Sequence, residues 1–274
     1  MPTIQSHDGA RIHVKEAGSG RPVILIHGWP LSGDMWEYQT VALVEAGFHV
    51  ITYDRRGFGQ SSHPARGYHY DILSDDLAAV IDQCTPDGAA LIGFSMGGGE
   101  VARYLARHGS RKTAKAVLVS SVVPYLLKTD DNKDGVDREE IESIKAQIRA
   151  DRFDFLRNFA KQFYGVGFVS SPVSQGTLDW TFMLAVMASP IATTACVDSF
   201  ATTDFRPDLA AFKDVPTLII HGSGDKTVPI DATGRAAAKA IQHAEFIEYE
   251  GEPHGLFVTA ADRLNQDLVR FLRT

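Results

Sequence analysis

Apolar residues along this chain cluster into short continuous runs separated by stretches of helical spacing. Val23-Ile24-Leu25-Ile26, inside Pro22–His27, is uninterrupted, as expected for a strand covered on both faces. Ala89–Phe94 reads the same way. Apolar positions three and four residues apart predict helices over Gly33–Ala46, Asp71–Gln83 and Met96–His108. Further strands are expected at Thr3–His7, Arg11–Ala17, His49–Tyr53 and Ala116–Ser120, with Asp8-Gly9 turning between the first two. Late in the chain come strand Thr217–His221, helix Asp231–Gln242, strand Glu245–Tyr249 and helix Ala261–Leu272. This alternation predicts an α/β fold: a mostly parallel sheet of about eight strands, helices on both faces.

The rhythm breaks between Pro124 and Pro207. A charged, turn-rich segment, Lys128–Gly135, leads into helical stretches carrying Phe153, Phe155, Phe159, Phe163, Tyr164, Trp180, Phe182, Phe200 and Phe205. Residues 124–207 are therefore expected to form a helical cap inserted into a core of residues 1–123 and 208–274. Most of its aromatics should pack within the cap; some should wall a small-molecule pocket.

A length of 274 residues allows one sizeable core. A net charge of −7 without a long basic cluster argues against nucleic acid or anionic membranes as partners. No apolar run approaches the roughly 20 residues of a membrane span, and Met1–Gly9 lacks the pattern of a signal peptide. Cys84 and Cys196 stand far apart and outside any metal-ligand spacing, so free thiols, a cytoplasmic location and no metal are expected.

Chemistry enters at Gly93-Phe94-Ser95-Met96-Gly97. This Gly-x-Ser-x-Gly sits between an apolar run and a helical stretch, the setting that holds a serine hydroxyl exposed on a sharp strand-to-helix turn. Such a pentapeptide alone could be an ordinary glycine-rich loop; partners decide. His254, in Glu252-Pro253-His254-Gly255, falls in the loop after the last strand, where the carboxyl edge of a doubly wound sheet gathers functional groups. Asp225, in His221-Gly222-Ser223-Gly224-Asp225, directly follows a strand; it is either the third member or a turn former. Asp54, in Tyr53-Asp54-Arg55-Arg56-Gly57, is the rival carboxylate and reads more readily as a turn anchor. The order Ser95, Asp225, His254 is that of α/β-hydrolase triads. An oxyanion site needs preorganised N–H donors, for which Met96 and Trp29, in His27-Gly28-Trp29-Pro30, are the candidates. Pro30 has no N–H and restricts Trp29 to extended conformations, fixing where its carbonyl points.

Together with Tyr53–Gly59, Gly93–Gly99, Gly251–Leu256 and Val119–Leu127, the His27–Gly33 segment resembles the α/β-hydrolase superfamily across nearly the whole chain. More narrowly it resembles the cofactor-free, non-haem haloperoxidases or perhydrolases and the bacterial aryl esterases. Glu252 departs from the small or neutral residue usual there. The resemblance implies Ser95, Asp225 and His254 as the triad, Trp29 and Met96 as oxyanion donors, and an acyl-enzyme formed from an ester or a carboxylic acid without a cofactor. Water would release acid; hydrogen peroxide would release a peracid, an outcome that Pro30 favours. It also implies an acyl site formed by Pro30, Phe94, Tyr125, Phe163, Phe200 and Val228, and assembly as a homo-oligomer. Lactone, amide or C–C bond hydrolysis could run on the same triad, and the fold can also serve as a non-catalytic receptor.

Overall fold

Two buried apolar strands set the centre of the sheet. The computed structural model describes residues 3–167 and 170–274. β1 (Thr3–Gln5) and β2 (Arg11–Gly18) form a hairpin, followed by β3 (Arg21–Ile26), α1 (Glu37–Glu45), β4 (Phe48–Tyr53) and α2 (Tyr70–Cys84). Then come β5 (Ala89–Phe94), α3 (Met96–His108) and β6 (Thr113–Val119). The eight-stranded sheet has the order β1-β2-β4-β3-β5-β6, completed by β7 (Thr217–Gly222) and β8 (Glu245–Tyr249). β1 and β2 are antiparallel, because a tight turn joins them. β2 also pairs antiparallel with β4, and every later pairing is parallel.

Strand order reverses at β3, whose neighbours are β4 and β5. Right-handed crossovers therefore place α1 on one face and α2 and α3 on the other. Between β6 and β7 stand α4 (Arg138–Ala150), α5 (Arg152–Phe163), α6 (Gln175–Val186) and α7 (Pro190–Thr202). α5 and α6 start at side-chain caps, Asp151 and Ser174, and α7 at Ser189 with Pro190 in its first turn. α8 (Gly234–Ala240) joins β7 to β8, and α9 (Leu256–Thr259) and α10 (Ala261–Arg273) close the chain. α10 buries Leu264, Leu268, Phe271 and Leu272, one stripe at helical spacing, and packs on α1.

Some predicted elements are shorter. β1 ends at Gln5, because the Ser6 N–H turns back to the Ala10 carbonyl at 2.8 Å. The helix expected from Asp231 starts at Gly234, after a turn in which Thr233 Oγ1 donates to Pro229 O at 2.7 Å. The helix expected from Gly33 opens with a 3-10 turn over Gly33–Trp36 before α1. No single helix among the described residues is long and apolar enough to cross a membrane. Cys84 and Cys196 are not disulfide-bonded.

Candidate active site

The point where strand order reverses opens a crevice at the carboxyl ends of β3 and β5, and the site is built there. Ser95 follows β5 with φ 53° and ψ −119°, a left-handed conformation that costs a non-glycine residue about 1–3 kcal/mol. The surrounding structure holds it. Its N–H donates to Val119 O at 2.9 Å, and its carbonyl accepts from Gly98 and Val122 at 3.0 and 3.3 Å. Close packing explains the glycines on either side: a Cβ on Gly93 would lie 2.5 Å from Gly97 O, and one on Gly97 would lie 2.4 Å from Ile26 O. The turn is thereby pressed against the end of β3.

His254 Nε2 lies 2.9 Å from Ser95 Oγ, and His254 Nδ1 lies 2.6 Å from Asp225 Oδ2. With Asp225 an acceptor, the imidazole proton belongs on Nδ1 and Nε2 is free to accept the serine proton. Asp225 Oδ1 in turn accepts the N–H groups of Thr227 and Val228, each at 2.8 Å. Burial pushes the Asp225 carboxyl up, but His254 and the neighbouring His221 outweigh it and hold the group well below the usual carboxylate range. Asp54 sits elsewhere. Its two carboxylate oxygens accept the N–H groups of Gly33 and Gln60, each at 2.8 Å, so it anchors a turn.

The loop after β3 supplies the other wall. Gly28 lies so near the elbow that a Cβ there would come 3.2 Å from Ser95 Cβ. His27 Nε2 is 2.9 Å from the Arg55 N–H and must accept from it, so His27 Nδ1 carries the proton and donates to Gly28 O at 2.8 Å. Burial, and then the Arg55 charge, lower the His27 pKa well below its ordinary value. That bond pins the planar Gly28–Trp29 peptide, and the Trp29 N–H points opposite to the Gly28 carbonyl. Among the described residues neither the Trp29 N–H nor the Met96 N–H has an acceptor. Arg55 is itself held by a fully buried ion pair with Glu100, whose other oxygen accepts from Tyr53 OH at 2.5 Å.

Above Ser95 and His254 lies a cavity of about 200 Å³. Phe200 and Val228 line it with Trp29, and so do Phe155, Phe159 and Val197 from the inserted helices. Four expected contacts are placed elsewhere. Phe94 packs against the His254 ring, 4.9 Å between centroids, and against the loop after β3, where a Cβ on Gly28 would come 2.6 Å from its Cδ1. Phe163 meets the same imidazole edge-on at 5.0 Å, one turn beyond Phe159 on α5. Both support the imidazole from behind. Tyr125 lies under the Arg206 guanidinium, and Pro30 borders a separate small void beneath α5. Phe155 and Phe159 carried a readable signal, their four-residue spacing on one helix face. Trp29 is tied to the inserted helices by its Nε1–H donating to Thr193 O at 3.0 Å. Glu252 accepts from Thr259 Oγ1 at 2.6 Å. Among the described residues no group of three or more His, Cys, Asp or Glu is arranged to hold a metal ion.

Comparison with known proteins gives a consistent picture. Residues 21–261 match the family model described as the alpha/beta hydrolase fold. A non-heme chloroperoxidase of Kitasatospora aureofaciens is 41% identical over 274 residues, covering 99% of each chain. A bifunctional esterase/perhydrolase of Acinetobacter calcoaceticus is 37% identical over 278 residues, covering 100% of each. Among solved structures, a bromoperoxidase from Bacillus anthracis superposes with a TM-score of 0.96 at 44% identity, covering 100% of this chain and 99% of its own.

Proposed function

Since the chain belongs to the α/β-hydrolase family, we propose that it is a serine esterase of small acyl groups that also makes peracids from carboxylic acids and hydrogen peroxide. The observation that carries this reading is the unbroken relay from Asp225 through His254 to Ser95, 2.6 and 2.9 Å long, beneath a small aromatic cavity. The names of its relatives, a chloroperoxidase and an esterase/perhydrolase, support the same pair of activities.

Ser95 Oγ attacks the acyl carbon while His254 Nε2 takes its proton. The oxyanion that forms accepts from the N–H groups of Trp29 and Met96, each worth about 3–4 kcal/mol in the transition state. Collapse breaks the bond to the alkoxy group, or to the hydroxyl of a carboxylic acid, and His254 returns the proton to it. Water or hydrogen peroxide then loses a proton to His254 and attacks the acyl-enzyme, releasing acid or peracid and restoring Ser95. Residues 124–207 act as the cap over this reaction, setting acyl size through Phe155, Phe159 and Phe200. The proposal includes a cytoplasmic homo-oligomer, which the unpaired cysteines and the resemblance support; gel filtration with light scattering tests the assembly.

Ser95→Ala, assayed on 4-nitrophenyl acetate, is expected to lower kcat by about 10⁶-fold. A variant keeping most of its activity would remove Ser95 from the role. A wild type with no turnover of short esters, lactones or amides would leave a receptor.

A further inference from the structure

A second imidazole stands against the proposed triad, and the reaction above gives it no task. His221, the next-to-last residue of β7, is fully buried. Its Nε2 lies 3.2 Å from Asp225 Oδ2 and 3.0 Å from the Val228 carbonyl oxygen. Both are acceptors, so the ring proton belongs on Nε2 and is shared between them. Nδ1 has no hydrogen-bond partner among the described residues. A Cβ on Gly234 would lie 2.7 Å from that nitrogen, so α8 closes over the ring and leaves it little room to turn.

The consequence falls on Asp225. Oδ1 is fixed by the N–H groups of Thr227 and Val228, and Oδ2 receives both imidazoles. Without the His221 N–H, the Val228 carbonyl and Asp225 Oδ2 would face the same buried space with no proton between them. The carboxylate would turn away, and its turning would move the oxygen that orients His254. We infer that His221 is a positioning residue for the triad: its Nε2–H locks the Asp225 carboxylate in the plane that presents Oδ2 to His254 Nδ1. This rests on the reading of Ser95, His254 and Asp225 as the catalytic machinery.

Side-chain reach separates this role from simple core filling. A glutamine amide can place an N–H where Nε2 now lies; an asparagine amide ends where Nδ1 lies and falls short. The full chain is compared as wild type, His221→Gln, His221→Asn and His221→Leu on 4-nitrophenyl acetate, with Ser95→Ala alongside. Circular dichroism and fluorophosphonate titration give the folded, reactive fraction used to normalise kcat. His221→Asn and His221→Leu are expected to lose roughly ten- to a hundred-fold in kcat, the range for a lost hydrogen bond to a charged group, with KM little changed. His221→Gln should recover most of the rate. The low-field proton resonance of the His254–Asp225 hydrogen bond should move in the asparagine variant and return in the glutamine one. Wild-type kcat in His221→Asn, or equal losses in the asparagine and glutamine variants, would overturn the inference; should the leucine variant fail to fold, this amide pair decides alone. Activity persisting in Ser95→Ala would instead remove the reading on which it stands.

Discussion

Asp225 carries an electrostatic conflict. It is buried, which disfavours its charge, yet the His254 and His221 imidazoles and two amide donors hold it ionised. Its folded-state pKa lies below the unfolded value of about 3.9, so its stabilising contribution is full above that value and is lost as pH falls through the folded one. The stability gap between wild type and Asp225→Asn in urea unfolding should therefore stay level from neutral pH to about pH 5, then close below about pH 4. A gap that widens on acidification would contradict this assignment. Pro30 carries a different expectation. It does not line the cavity, so any influence runs through the Trp29 backbone, whose carbonyl, in the proposed perhydrolysis, accepts a hydrogen bond from peroxide. Pro30→Leu should lower the ratio of perhydrolysis to hydrolysis; an unchanged ratio would detach Pro30 from the choice of acyl acceptor. Ser95, His254 and Asp225 were legible because each stands in a short local pattern beside a strand end. The part played by His27 was not, because its partner Arg55 becomes a neighbour only in the folded chain; His221 lies four residues from Asp225, but a sequence does not show its ring turned back onto that carboxylate.

At the scale of elements, the strand–turn–helix unit was legible because its signals are local. Ala89–Phe94, Met96–His108 and Glu245–Tyr249 form with the boundaries that their apolar patterns predict. The lining of the cavity was less so, because a helix in the inserted segment offers one aromatic stripe but not its depth. On α5, Phe155 and Phe159 reach the cavity while Phe163 passes it and packs on His254. Phe159 lies 5.3 Å from the Trp29 ring, between the acyl space and the oxyanion loop. Phe159→Ala should open the acyl side and raise kcat/KM for 4-nitrophenyl butyrate relative to the acetate by roughly ten-fold or more, since each methylene in an apolar pocket is worth about 1–3 kcal/mol. An unchanged preference would place the acyl group elsewhere in the cavity. The extra space also costs stability, but less than the roughly 3–5 kcal/mol of a fully packed phenylalanine, because Phe159 is only partly buried and already borders the cavity.

Across the whole molecule, the sheet brings together groups remote in the chain. His254 and Ser95 are 159 residues apart, and His254 and Asp225 are 29 apart, yet all three meet at one edge. β5 delivers the serine, the loop after β7 the carboxylate and the loop after β8 the imidazole, while the end of β3 delivers Trp29. Of the helices inserted between β6 and β7, α4, α5 and α7 wall the cavity. In the proposed function, this convergence makes Ser95 a covalent nucleophile. Mass spectrometry of protein quenched during the first turnovers of 4-nitrophenyl acetate tests it most directly. An acetyl group on the peptide carrying Ser95, absent from Ser95→Ala, is the predicted result; full turnover with that serine never acylated would contradict it.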